Sequence, residues 1–155
     1  MVTLEKIRKQ YEMAELRRKD LLESPSEMFR SWFERIEDSE KIEANAATLA
    51  TSSKKGKPSS RTVLVKEYDE RGFVFYTNYK SKKGRQIEIN PYGSLTFFWP
   101  EFERQVRIRG KMRKVSRKQS EKYFHSRPRL SQISVLASRQ SETLENREQL
   151  VKKVE

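Results

Sequence analysis

Between Ala46 and Val115 apolar residues return at every second position, in short runs separated by turn residues, and that period predicts strands. The runs cover 46–51, 60–67, 73–78, 94–99 and 104–115. Lys55-Gly56-Lys57-Pro58 and Asp69-Glu70-Arg71-Gly72 separate the first three, and connections this short predict antiparallel pairing. Upstream the period lengthens. Met28, Trp32 and Ile36 recur every four residues, with Phe29 and Phe33 widening their face, which predicts a helix packed on the sheet. Ser24 as cap, Pro25 at the first helical position and Glu27 closing a capping box mark its start. Residues 81–90 predict a short helix stopped by Pro91, and Ser116 opens another that Pro128 limits near Arg127.

The ends of the chain are less patterned. Leu4, Ile7, Tyr11 and Leu16 make a loose helical stripe, so 1–23 reads as a surface helix or arm. Beyond Pro128 the composition turns polar, and 142–155 reads as a charged helix with Leu144 and Leu150 as weak anchors. Neither a repeat nor a low-complexity linker divides the chain, so 1–155 is expected to be one domain with its core in 24–141. The expected fold class is mainly β with flanking helices, an antiparallel barrel.

Composition sharpens this picture in three ways. Apolar content of 34% is low beside 36% charged residues, but 8 Phe, 6 Tyr and 2 Trp supply enough area for a small aromatic core with a wet rim. A net charge of +12 attracts phosphorylated small molecules, nucleic acids and anionic membranes alike, and charge alone does not choose. The absence of cysteine excludes disulfides and thiolate chemistry, and a single histidine, His125, argues against a metal centre. Acidic residues near the start and the lack of a long apolar run argue against transit and membrane segments. The expectation is a soluble cytoplasmic protein without a membrane or nucleic-acid partner.

Candidate chemistry sits in the strands and at helix starts. From Arg61 to Lys66, alternation places Arg61, Val63 and Val65 on one face and Thr62, Leu64 and Lys66 on the other. Ser81-Lys82-Lys83-Gly84 opens a helix, where free N–H groups and about half a positive charge add to two lysines. Cations there oppose the helix dipole, so a bound anion would offset them. With Tyr76 and Thr77, these segments describe a pocket for a phosphorylated cofactor. Gln105, in the alternating run from Arg104 to Arg109, both donates and accepts, which suits the edge of a flavin ring. Tyr123 and Arg127, four apart on a helix, can clasp a phosphate with Ser131 nearby, while His125 is expected at the surface. Taken singly, each segment also fits a blander description as a solvated edge strand, an exposed basic turn or a helix end whose arginines counter the dipole.

Taken in order, the blocks Arg61-Thr62-Val63-Leu64-Val65-Lys66, Tyr68-Asp69-Glu70-Arg71-Gly72, Phe75-Tyr76-Thr77-Asn78, Ser81-Lys82-Lys83-Gly84, Glu103-Arg104-Gln105-Val106, Tyr123-Phe124-His125-Ser126-Arg127-Pro128 and Arg139-Gln140-Ser141 resemble the pyridoxine/pyridoxamine 5'-phosphate oxidase family. The similarity runs from about Ile7 to Ser141. It implies an antiparallel split β-barrel of the flavin mononucleotide (FMN)-binding type, acting as a homodimer with the flavin between subunits. By the resemblance, Arg61, Thr62, Val63, Leu64, Tyr76, Thr77, Lys82, Lys83, Gln105, Gln140 and Ser141 contact FMN. Lys66, Tyr123, Arg127 and Ser131 hold the substrate phosphate, and Arg8, Lys9, Gln10 and Tyr11 match an arm that closes over the substrate. The implied reaction oxidises pyridoxamine or pyridoxine 5'-phosphate to pyridoxal 5'-phosphate, with O2 as acceptor. The family's Trp-Gly-Gly strand and Arg-Leu-His segment do not occur in these 155 residues, so the resemblance assigns no catalytic residue here. A noncatalytic protein that binds FMN or a vitamin B6 phosphate on the same fold is the alternative.

Overall fold

The computed structural model describes residues 15–137 together with Gln10, Glu12, Gln140 and Ser141. Arg8, Lys9 and Tyr11 of the expected arm, and the expected helix at 142–155, lie outside the described residues. Strands β1 (Ala46–Ser52), β2 (Pro58–Asp69), β3 (Gly72–Phe75), β4 (Tyr92–Trp99) and β5 (Arg104–Lys111) form one antiparallel sheet in the order β3-β2-β1-β4-β5. Helices α1 (Pro25–Glu37), α2 (Lys82–Ile89), α3 (Arg117–Ser126) and α4 (Arg129–Ala137) flank it. Among the described residues no helix is long and apolar enough to cross a membrane.

Local chemistry accounts for most boundaries. The Ser24 hydroxyl accepts from the Glu27 N–H and the Glu27 carboxylate accepts from the Ser24 N–H, with Pro25 at the first helical position, so α1 begins where its capping box requires. Gly56 and Gly72 adopt positive φ of 75° and 142° in the first two turns, conformations that a Cβ disfavours. Two strands stop earlier than the alternation suggests. The chain leaves β3 at Phe75 because Asn78 organises a turn, its carbonyl accepting from Ser81 N–H and its side chain from Lys80 N–H. β5 ends at Lys111 because its partner β4 begins only after Pro91, whose carbonyl takes the Met112 N–H. Helix α4 has no counterpart in the sequence pattern. It starts directly after Pro128, and Leu130, Val135 and Leu136 stay exposed, so neither a capping residue nor a buried stripe announces it.

The core lies between α1 and the concave face of the sheet. Phe29 is its hub, with ring centroids 4.8–5.9 Å from Phe33, Tyr68, Phe73, Phe97 and Trp99. Each such pair adds about 0.5–1.5 kcal/mol beyond simple area burial, which is how a chain this polar holds one structure. The buried Trp99 indole N–H donates to the Ala44 carbonyl, so no donor is stranded in that core.

One irregularity redirects β2. Val65 pairs with Phe75 but Glu67 pairs with Val74, so β2 carries one extra residue at Lys66. Alternation places Arg61, Val63 and Val65 on one face as expected, then the bulge resets it. Tyr68, rather than Glu67, therefore follows Val65 into the aromatic core.

Candidate functional site

β3 lies at one edge of the sheet and β4 beyond β1, so the chain between them crosses the sheet end, and α2 makes that crossing. Ser81, fully buried, caps α2 by accepting from Gly84 N–H. Gly84 has no alternative: a Cβ there would run into the backbone carbonyl of Tyr79. This close approach turns Lys83 and Gln86 inward, while Lys82 stays exposed.

A buried polar relay then orients Arg61. The Thr51 hydroxyl donates to Gln86 Oε1 at 2.7 Å and accepts from Arg61 Nη1 at 2.6 Å. Gln86 Nε2 donates to Ser59 Oγ at 3.3 Å, and Arg61 Nη1 also reaches the Leu49 and Ser59 carbonyls. All of these bonds use Nη1. Nε and Nη2, the remaining donors of the fork, carry no partner among the described residues. Beside Arg61, Lys83 Nζ donates to Thr77 Oγ1 at 3.1 Å and to Gln140 Oε1 at 2.8 Å. Lys83 is only 8% exposed. Burial, and then the like charge of Arg61, pull its amine below the ordinary lysine range, and burial pulls the Arg61 guanidinium down as well. No carboxylate among the described residues pairs with either cation. Two partly desolvated cations that lower each other's stability, with fork donors to spare, fit a phosphate monoester.

Lys83, though not Arg61, lies on the wall of a groove of about 1970 Å³ that runs along the sheet to α3. Thr62, Val63, Leu64, Lys66, Tyr76 and Thr77 line it together with Lys83 and Gln140, and Tyr123 and Arg127 face it from the α3 side. Arg127 does not share a helical face with Tyr123. It is the extended C-cap (φ −78°, ψ 149°), because the following Pro128 disfavours helical backbone at the residue before it. Gln105 lies on the exposed outer face of β5 opposite Phe98, and Ser131, Ser141 and Gln10 stand apart from the groove wall. His125 is exposed, as expected.

The α3 side has its own anchor. Tyr76 and Tyr123 stack with centroids 3.8 Å apart and planes 5° from parallel. Glu67 accepts from the Tyr76 phenol at 2.6 Å through one oxygen and from Gln119 Nε2 at 2.8 Å through the other. Burial, then the Glu67 carboxylate, pushes the Tyr76 phenol up to about 12, so it remains a donor at neutral pH. Thr51, Ser59, Gln86, Glu67 and Gln119 were not singled out by the sequence pattern. A hairpin register setting Leu49 against Arg61 and Thr51 against Ser59 was the available signal for two of these five, Thr51 and Ser59.

Comparison with known proteins places these features in a class and then in a family. The curled antiparallel sheet is shared with FMN-binding split-barrel proteins: a pyridoxamine 5'-phosphate oxidase-related, FMN binding protein from Nostoc punctiforme superposes with a TM-score of 0.63 at 15% identity over 84% of this chain and 73% of that one. PhzG from Burkholderia lata, solved in complex with tetrahydrophenazine-1-carboxylic acid, superposes with a TM-score of 0.84 at 27% identity over 88% of this chain and 67% of that one. The pyridoxamine 5'-phosphate oxidase family pattern matches residues 34–155. A pyridoxine/pyridoxamine 5'-phosphate oxidase from Paraburkholderia phytofirmans is 47% identical over 97% of this chain and 70% of its own length. One from Leptospira interrogans is 51% identical over 93% of this chain and 67% of its own. The chain belongs to the pyridoxine/pyridoxamine 5'-phosphate oxidase family.

Proposed function

We propose that this protein binds FMN and oxidises pyridoxamine or pyridoxine 5'-phosphate to pyridoxal 5'-phosphate, with O2 as acceptor, as a cytoplasmic homodimer. The observation that carries the reading is the uncompensated Arg61–Lys83 pair. A dianion seated there removes the like-charge repulsion, takes the free Nε and Nη2 donors of Arg61 and keeps Lys83 charged. Thr62, Val63, Leu64, Tyr76, Thr77 and Gln140 continue the cofactor surface along the groove, and Lys82 and Ser141, off its wall, complete the set that the family resemblance implies. Gln105 is on an exposed outer face, so its contact with a flavin requires a second copy of the chain, which is what a cofactor held between protomers asks for. Lys66, Tyr123 and Arg127, with Ser131 beyond them, hold the substrate phosphate at the α3 end.

Bound FMN supplies the two-electron acceptance and the reoxidation by O2. The protein's own contribution is to hold two phosphates, one at the Arg61–Lys83 pair and one on the α3 side of the groove, so that the pyridine ring lies against the cofactor in a fixed orientation.

Calorimetric titration with FMN and riboflavin tests the cofactor assignment. FMN is expected to bind about 100-fold tighter than riboflavin, the scale of a desolvated charge-assisted contact. Arg61→Met and Lys83→Met are each expected to remove most of that preference. Equal affinity of the unaltered protein for both compounds overturns the reading. Peroxide release with pyridoxamine 5'-phosphate tests turnover; FMN binding without peroxide would leave a noncatalytic binder of the same fold.

A further inference from the structure

Glu67 is one of four carboxylates, with Asp69, Glu88 and Glu121, on the wall of a groove in which basic residues predominate. The bulge at Lys66 puts it there, pairing it with Val74 on the face opposite the aromatic core. Both of its oxygens are engaged, one by the Tyr76 phenol and the other by the Gln119 amide. Gln119 and Tyr123 are four residues apart on α3 and share a face, and Tyr123 lies flat on Tyr76. The contacts therefore close a ring through β2, the exit of β3 and α3. The Gln119–Glu67 bond joins α3 to a strand residue, and Gln119 also reaches the Tyr76 phenol beside it.

We propose that Glu67 is a positioning residue for the substrate-phosphate grip: by tying Tyr76 and Gln119 together it sets the height and angle of α3, and with them Tyr123 and the Arg127 cap. The proposal rests on the assignment of Tyr123 and Arg127 to the substrate phosphate. Glu67 touches no phosphate itself, since its negative charge would repel one. It acts through the two donors it holds.

The test uses 4-deoxypyridoxine 5'-phosphate and its unphosphorylated parent, which lack the oxidisable group, titrated into the FMN-loaded full chain. Glu67→Ala is expected to weaken the phosphate ester about tenfold and the parent no more than about twofold, as for loss of a hydrogen bond to a charged group. Glu67→Gln, which keeps an acceptor for Gln119 and a partner for Tyr76, retains most of the affinity. The Glu67→Ala/Gln119→Ala double variant binds no more weakly than Glu67→Ala alone, because both changes open one clamp. FMN affinity, measured alongside, is expected to fall less than ester affinity, because Glu67 also holds Tyr76 on the cofactor surface. An unaltered protein that does not prefer the phosphate ester overturns the substrate-phosphate assignment. A preference that survives Glu67→Ala overturns the role of Glu67 and leaves that assignment standing, and an equal loss of FMN and ester reduces Glu67 to a structural residue and also overturns the proposal.

Discussion

Arg61, beside the Lys83 end of the groove but off its wall, and Tyr123, on the α3 side, are held by different means. Arg61 is fixed from behind by Thr51 and Gln86, both buried, whose hydrogen bonds are shielded from water. Tyr123 is held from the side by a ring stack and by an exposed carboxylate. The inner end is thus organised before any ligand arrives, and its cost, two cations brought together, is already present in the folded chain. The α3 end stores no such strain. On the proposed function, the first arrangement suits a retained cofactor and the second a ligand that must leave.

Three perturbations separate the two ends. The largest effect is expected from Gly84→Ala, because the new methyl meets the Tyr79 backbone and neither element can yield as a flexible side chain would. A loss of about 3 kcal/mol, the upper range for overpacking, is expected in chemical or thermal unfolding. FMN affinity falls with it as Lys83 is displaced, while the phosphate grip at α3 persists in the folded fraction. Loss of both together would mean that the ends are one unit.

A smaller effect is expected from Thr51→Val, which keeps the shape and removes the hydroxyl that serves Gln86 and Arg61 at once. The change is worth about 1 kcal/mol, read as roughly fivefold weaker FMN binding with riboflavin unaffected. If riboflavin weakens equally, Thr51 supports packing and not the aim of Arg61.

The smallest effect concerns pH. Lys83 titrates below the ordinary lysine value of 10.5 in the folded protein and at that value when unfolded. Below its folded pKa the charge is present in both states and the full penalty of burying it applies. As pH rises through that pKa toward 10.5 the folded state releases its proton first, so the penalty is relieved and stability without FMN gains. Melting temperatures of the FMN-free protein, taken against Lys83→Met from neutral pH upward, should therefore improve for the unaltered chain relative to the variant. FMN reverses the sign, because its phosphate favours the charged amine, and its affinity is expected to fall over the same window. A constant difference between the two proteins would remove Lys83 from the buried pair.

Much of this was legible in the residues before any coordinates. The Ser24–Glu27 box, the Ser81 cap and the alternation of β1, β2, β4 and β5 depend on neighbours within a few positions, so local chemistry specifies them. The ordered blocks from Arg61 to Ser141 carried the family resemblance, and with it the sheet class. Helix α4 was hidden because most of its large apolar side chains, Leu130, Val135 and Leu136, stay exposed, leaving no amphipathic stripe to read. The bulge at Lys66 was hidden for a different reason. An extra residue in one strand exists only relative to its partner, and no run of side chains along β2 records where β3 will place Val74.

Alternation and capping, written in short stretches of chain, determined by themselves that this protein would be an antiparallel sheet with a helix laid on its face and a basic helix start near a basic strand. Only the folded arrangement decided that Lys83 turns inward to meet Arg61 while Lys82 does not, that Thr51 and Gln86 set the guanidinium, and that Glu67 joins α3 to the sheet. Those outcomes depend on distances between residues far apart in the chain. The path of α2 across the sheet end and one inserted residue in β2 set them, and neither is a property of any local run of sequence.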